Sequence, residues 1–330
     1  MKKTIYLFSD GELRRKDNTI YFENEKGRKY IPVENTNELY IFGEVDVNKR
    51  FLEFVSQAKI IIHFFNYYGY YSGSYYPREH YNSGYMILKQ SQHYLDFAAR
   101  VKLARSFVQG SGENMLRVLN YYNNRGIDLR EIILAIENLL NTLEKIEQIE
   151  KLMAIEGNMR DYYYKSFDQI INNKDFVFYE RTRRPPKNNL NALISFGNSL
   201  LYVTVLGEIY KTHLDPRIGY LHSTNFRSFT LNLDVAEIFK PIIIDRIIFK
   251  LINNKNITKK DFEKNMGGIM LNEQGRKKFI REFDQRMAAT IKHRKLGRNV
   301  SYRRLIRMEL YKLQKHFMEE EEYVPYKARW

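Results

Sequence analysis

Over its first eighty or so residues the chain alternates apolar and polar positions in short runs. These are TIYLF at 4–8, TIYFEN at 19–24, KYIPV at 29–33, ELYIFG at 38–43 and IIIHFF at 60–65. Alternation with period two, in β-branched and aromatic residues, predicts half-buried strands. The separators SDGE, RKDN, ENEKG and ENTN supply the Gly, Asn and Asp that tight turns need. One helix fits between strands, because Asn48 to Ala58 places Phe51, Phe54, Val55 and Ala58 on one face. The stretch Tyr67 to Pro77 holds too much glycine for a helix. From about Met86 the period lengthens to 3.6. Ser91 to Val108 sets Leu95, Ala98, Ala99, Lys102 and Leu103 at helical spacing, and Asp128 to Met153 carries a stripe of Ile132, Leu139, Leu143, Ile146 and Ile149. Asn191 to Leu214 reads as a buried helix closed by the turn Asp215–Gly219. Leu233 to Leu251 reads as another, and Gln274 to Phe317 as at least two basic helices. The pattern predicts an α+β protein: a β-rich domain over 1–85, followed by a larger, essentially all-α-helical domain over 86–330.

Composition narrows the class. The 330 residues are 44% hydrophobic with 17 Gly and 7 Pro, which excludes a collagen-like or disordered chain. Formal net charge is +15, a field that attracts polyanions, with nucleic acid or an anionic membrane surface as the leading partner class. The absence of cysteine excludes disulfides, thiolate metal sites and cysteine nucleophiles. The apolar run Thr4–Phe8 is too short for a signal peptide, and Ile238 to Ile252 is broken by Lys240, Asp245, Arg246 and Lys250. The expectation is a cytoplasmic protein without a membrane anchor.

The charge is concentrated. Between Arg276 and Lys312 thirteen Lys/Arg stand against Glu282, Asp284 and Glu309. Arg286, Lys292, Arg294, Lys295, Arg298, Arg303 and Arg304 recur there around a Gly-containing loop, and Arg183 and Arg184 form a second cluster beside Pro185 and Pro186. These are the candidate DNA contacts, the alternative being solvated charged faces. Tyr162, Tyr163 and Tyr164 are candidates for stacking on a splayed base.

Three features offer chemistry. Glu156 follows an apolar stripe and precedes the three tyrosines; it is a metal ligand, a general base or a surface glutamate. His222 lies in a loop just past Asp215–Gly219. Asp234 and Glu237, at i and i+3, share one face of a helix whose N-cap is Thr230 or Asn232, and they either join a site or only complement the helix dipole. Pro241 removes the N–H that would bond the Glu237 carbonyl, so it either kinks the helix or restarts it. One imidazole with two or three carboxylates describes an oxygen-rich site for Mg²⁺ or Mn²⁺, with zinc disfavoured.

The order of AIEGNMRDYYY, RRPPKNNLNALISFGNSLLY, LDPRIGYLH, LNLDVAEIFKPIIIDR, SYRRLIR and YVPYKARW, with GSYYP and SGYMILKQ upstream, resembles the CRISPR-associated spacer-integration nuclease, the integrase subunit of CRISPR adaptation. The resemblance implies a β domain that dimerises, a helical catalytic domain, and homodimers flanking a small ferredoxin-like adaptation subunit. It places the family's metal ligands on Glu156, His222 and Glu237, with Asp234 at a further acidic position of the catalytic site. Asn158 stands where a small residue often follows the first glutamate's glycine. The implied reaction is transesterification: the 3′-hydroxyl of a short duplex with single-stranded 3′ ends attacks CRISPR repeat DNA, or water attacks in its place. The alternative is a non-catalytic, basic, dimeric DNA-binding scaffold whose acidic residues lie apart.

Overall fold

The structure is a computed structural model that describes every residue except 1, 78–80, 82, 225–228, 266, 294–295 and 330. The chain divides into two compact units, Met1–His80 and Tyr81–Trp330, so the break falls slightly before the position 85 expected from the change of period.

The first unit contains β1 (Lys3–Leu7), β2 (Gly11–Lys16), β3 (Thr19–Asn24), β4 (Gly27–Pro32), β5 (Thr36–Ile41), β6 (Val45–Val47), α1 (Lys49–Gln57), β7 (Ile61–Phe65) and β8 (Tyr71–Tyr75). The strands form two four-stranded sheets in the orders β1-β5-β7-β8 and β4-β3-β2-β6. In the first sheet β1, β5 and β7 run parallel and β8 antiparallel. The unit's core joins Leu13, Ile20, Phe22 and Ile31 of one sheet to Leu39, Ile41 and Ile62 of the other, with Phe51, Phe54 and Val55 of α1 packed among them. Asn48 caps α1 by accepting from the Phe51 N–H at 3.0 Å. β2 was hidden in the sequence because GELRRK buries only Leu13. Backbone pairing with β3 and β6, rather than side-chain pattern, makes it a strand.

The second unit runs α2 (Gly84–Leu95), α3 (Phe97–Asn123), α4 (Arg130–Thr142), α5 (Ile149–Lys165), α6 (Phe167–Ile171), α7 (Asn189–Ile209), α8 (Leu231–Lys240), α9 (Arg246–Asn253), β9 (Phe262–Asn265), β10 (Gly268–Leu271), α10 (Glu273–Ala288), β11 (Thr290–His293), β12 (Arg298–Ser301) and α11 (Tyr302–Phe317). It is helical apart from the hairpins β9–β10 and β11–β12. The single helix expected over 91–108 is broken at Asp96, which starts α3 by accepting from the Ala99 N–H at 3.0 Å. That leaves Leu95 80% exposed and turns Val101, Leu103, Ala104, Phe107 and Val108 inward. The stripe over 128–153 is likewise split between α4 and α5.

α7 is long and apolar enough to cross a membrane, yet it is enclosed by protein, packing against α8, α11 and β10. Between α8 and α9 the backbone widens into a π-helical turn, Pro241–Asp245. Proline cannot donate the bond that would continue α8, and the wider turn accommodates it without ending the helical path. Two glycines set the spacing of these elements. A Cβ on Gly112 of α3 would lie 2.9 Å from Met159 Sδ of α5, and one on Gly197 of α7 would lie 2.6 Å from Ile244 Cγ2 in the π turn.

Candidate active site

α5 and α8 bring two carboxylates to one guanidinium. Arg160, one turn after Glu156 on α5, donates from Nη2 to Glu237 Oε2 at 2.6 Å and to Glu156 Oε1 at 3.4 Å. Lys240, one turn after Glu237 on α8, donates to the other Glu237 oxygen and lies 4.8 Å from the Tyr202 ring centre. Partial burial and the neighbouring Glu237 charge raise the half-buried Glu156 carboxyl above its ordinary value. Burial also works against ionised Glu237, but Lys240 and then Arg160 outweigh it and hold that carboxyl down at about 2. Burial raises one carboxyl while neighbouring cations hold the other down, so the two differ in protonation although they share one arginine.

The histidine is set by a second carboxylate. Asp234 is fully buried and accepts four hydrogen bonds: from the N–H groups of Tyr220 (2.6 Å) and Leu221 (3.0 Å) on Oδ2, and from His222 N–H (2.9 Å) and Nδ1 (2.7 Å) on Oδ1. Thr230, which precedes α8, also serves the loop rather than its own helix: its hydroxyl accepts from the Gly219 N–H at 2.9 Å and donates to the Arg217 carbonyl at 2.8 Å. The loop is therefore sewn to the start of α8. With Nδ1 committed to Asp234, Nε2 is the His222 nitrogen available to a ligand. Burial disfavours the imidazolium, but the Asp234 hydrogen bond prevails and lifts the His222 pKa. His222 is near enough to depress the carboxyl pKa values of Glu156 and Glu237.

All four hydrogen bonds to the side chain of Asp234, a candidate catalytic residue on sequence grounds, come from the loop, so in this arrangement it holds the loop and the imidazole in place. Tyr163 and Tyr164 are buried and cannot stack on a base without unfolding α5, whereas Tyr162 is 39% exposed. Sequence reasoning missed Arg160, Lys240 and Asp245. The first two were legible as E-x-x-x-R and E-x-x-K spacings that return a cation to the same helix face. Asp245 carried no signal. It is buried in the π turn, 4.0 Å from Arg160 Nη1. Among the described residues neither Asp245 Oδ2 nor Arg160 Nη1 has a hydrogen-bond partner, and burial pushes the Asp245 carboxyl up to about 7.

Among the described residues no three His, Asp or Glu side chains stand within reach of a common cation as they lie; the Glu237 oxygens are held by Arg160 and Lys240. The donor chemistry nonetheless fits a hard divalent cation: two carboxylates and an imidazole whose other nitrogen is braced by a carboxylate. Arg160, bridging Glu156 and Glu237, is the group such an ion would displace.

The basic candidates divide. Arg183, Arg184, Lys292, Arg298 and Arg304 are exposed. Lys292 and Arg298 sit on the β11–β12 hairpin, whose turn uses Gly297 at φ 63°. Arg286 instead donates from Nη2 and Nε to the Ile242 carbonyl at 2.6 and 3.2 Å, which ties α10 to the π turn. Arg303 stands 3.6 Å from fully buried Glu208, to which Arg307 donates at 2.6 Å. An open carbonyl and a buried carboxylate of the fold thus engage these two guanidiniums. Arg294 and Lys295 lie outside the described residues.

A profile described as "CRISPR associated protein Cas1" matches residues 5–285. The CRISPR-associated endonuclease Cas1 2 of Thermodesulfovibrio yellowstonii is 62% identical over 330 residues, all of both chains. The solved structure of a CAS1 protein from Thermotoga maritima superposes with a TM-score of 0.87 at 48% identity, covering 99% of this chain and 100% of that one. A casposase bound to integration product shares the fold, with a TM-score of 0.88 at 18% identity over 100% of this chain and 95% of that one.

Proposed function

This chain belongs to the Cas1 family of CRISPR-associated proteins, and from that premise we propose that it is a metal-dependent DNA endonuclease and integrase of CRISPR adaptation, working through Glu156, His222 and Glu237. The observation that carries the site assignment is the meeting of Glu156 and Glu237, from two helices, on Arg160 Nη2, with His222 braced alongside by Asp234. The scaffold alternative requires those acidic side chains to lie apart.

Glu156, Glu237 and the Nε2 of His222 would hold Mg²⁺ or Mn²⁺. Bound there, the ion would neutralise a phosphodiester and lower the pKa of an attacking hydroxyl or water. Asp234 fixes the imidazole and the loop that carries it. Arg160 and Lys240 balance the carboxylates and supply positive charge beside the reacting phosphate. No nucleotide cofactor is needed, because one phosphodiester replaces another. The exposed cations Arg183, Arg184, Lys292, Arg298 and Arg304 supply backbone contacts, each neutralised duplex phosphate steepening the salt dependence by a slope of roughly 0.9. On the same premise the protein acts in the cytoplasm as a homodimer through its β-rich domain, with a small ferredoxin-like subunit, on duplex DNA with single-stranded 3′ ends and on the CRISPR repeat.

The test is strand transfer of a 3′-hydroxyl duplex into repeat DNA with Mg²⁺ or Mn²⁺. Glu156→Ala and His222→Ala should each abolish joining while gel-shift affinity for DNA survives. Full joining by either variant refutes the assignment.

A further inference from the structure

A cavity of about 500 Å³ opens where α3, the start of α9, the end of α10 and β11 meet. Five guanidiniums line it: Arg117 on α3, Arg125 just past it, Arg246 at the head of α9, Arg286 on α10 and Arg329 near the C-terminus. No Asp or Glu lines it among the described residues. Like charges held in one concavity repel, and low-dielectric walls sharpen the repulsion. The effect registers on Arg286. Burial first, and then the Arg246 charge, push its guanidinium below the ordinary value despite the opposing pull of Tyr302 and Glu282.

The aromatic walls define what could enter. Arg125 and Arg246 each lie over the Tyr121 ring, both 4.3 Å from its centre, and Arg286 lies 4.2 Å over Tyr302. Cation–π attraction of this kind seats a guanidinium in a set orientation. Those rings are therefore seats for cations, and they are poor platforms for a stacked base. Arg286 is anchored further by the Ile242 carbonyl. An entering group is accordingly read by its charge and its oxygens. A phosphodiester linkage within a strand brings one negative charge, whereas a terminal phosphate brings about 1.5 to 2 at neutral pH, and a polyphosphate brings more. Clustered guanidiniums suit the more highly charged groups, which they bind through paired N–H donors.

We propose that this cavity captures a terminal phosphate or a short polyphosphate, held by Arg117, Arg125, Arg246 and Arg329 around the anchored Arg286, with no preference for the base attached. The 5′-phosphate of a DNA strand and a free polyphosphate share this chemistry. The inference requires neither a divalent metal nor strand transfer, so its failure would leave the integration reading untouched, and the reverse holds too.

The test uses the full chain without divalent metal. Anisotropy compares two oligonucleotides of one sequence, one 5′-phosphorylated and one 5′-hydroxyl, while calorimetry measures binding of sodium tripolyphosphate. The 5′-phosphate should tighten binding about tenfold, the scale of one or two charge-assisted hydrogen bonds, and tripolyphosphate should compete that gain away. Arg125→Gln with Arg329→Gln, both exposed positions, should lose the gain and the tripolyphosphate binding, while Lys277→Gln, an exposed charge paired with Glu273 outside the cavity, should lose neither. If the double variant does not melt cooperatively, Arg125→Gln alone gives the same readout. Tripolyphosphate binding that disappears in the variant, without any preference for the 5′-phosphate, supports the site with a free polyphosphate as its occupant. Equal affinity for the two oligonucleotides with no tripolyphosphate binding overturns the proposal, as does tripolyphosphate binding unchanged in the variant.

Discussion

Replacing Asp234 by asparagine alters no shape but reverses half of the hydrogen bonding around His222. The wild-type carboxylate accepts four bonds, two on each oxygen. Asparagine keeps one carbonyl oxygen, enough for the Tyr220 and Leu221 N–H groups, and turns an NH₂ toward the His222 N–H, donor against donor. The His222 N–H loses its charged acceptor and the Nδ1 bond is at best reversed into a neutral one, a bond to a charged acceptor being worth about 1.5–3 kcal/mol, so unfolding in urea should show a loss on the order of 3 kcal/mol. The second consequence is chemical. The new NH₂ can bond Nδ1 only if Nδ1 accepts, which moves the imidazole proton to Nε2 and blocks the nitrogen assigned to the metal. Mn²⁺ affinity, read by paramagnetic resonance, should fall about 10–100-fold, the usual result of losing such a brace. Strand transfer should fall with it. NMR titration should find the His222 pKa, which Asp234 lifts in the native protein, brought back down. An Asp234→Asn protein that binds Mn²⁺ as tightly as wild type and titrates His222 unchanged would refute this account.

Arg160→Gln removes the cation between half-buried Glu156 and buried Glu237, which keeps its Lys240 partner, and should destabilise by about 1–3 kcal/mol; Mn²⁺ should raise its melting temperature more than it raises that of wild type, and an equal or smaller shift would count against displacement of Arg160 by metal. Asp245 gives a pH dependence of known sign. Burial pushes its carboxyl up to about 7 from an ordinary 3.8, so the native state holds the proton longer; this contribution is whole below about pH 4 and is lost as pH rises through 7. The loss is on the order of 4 kcal/mol at one pKa unit per 1.36 kcal/mol. Between pH 5 and 8, Asp245→Asn should therefore lose less stability than wild type in parallel denaturant melts. Gly197→Ala should destabilise by about 1–3 kcal/mol by overpacking, because the added carbon meets buried Ile244 and Phe279 at 2.6 and 2.7 Å.

Periodicity exposed the elements that bury an apolar face. α1, α7 and the long path of α8 and α9 were readable because their side chains pack on one side or all round. β2 and the hairpins β9–β10 and β11–β12 were not, since FEKN and TIKH expose charged and polar side chains and hold together through backbone pairing. The site divided in the same way. Glu156, His222, Asp234 and Glu237 stood out by residue type and order, but neither property separates a ligand from its brace. That distinction depends on which atoms point inward: Asp234 faces the loop, whereas Glu237, one turn on, faces Arg160. Arg286 and Arg303 looked like surface cations because nothing nearby in sequence announces the Ile242 carbonyl or the buried Glu208 that claim them. Asp245 was concealed by an apolar run in which a carboxylate reads as an interruption.

The wide turn Pro241–Asp245 works as a clocking device. An ordinary α-helix advances about 100° per residue, so the surplus residue of a π turn offsets everything after it by roughly that angle. Ahead of the turn, Glu237 meets Arg160 and Lys240; at its last residue, Asp245 stands opposite the same arginine, and just beyond it Arg246 lines the arginine cavity. Removing one residue from the turn would keep every functional group in the chain and misalign the second set against the first. The spacing between Glu237 and Arg246 is therefore as much a part of the machinery as either side chain.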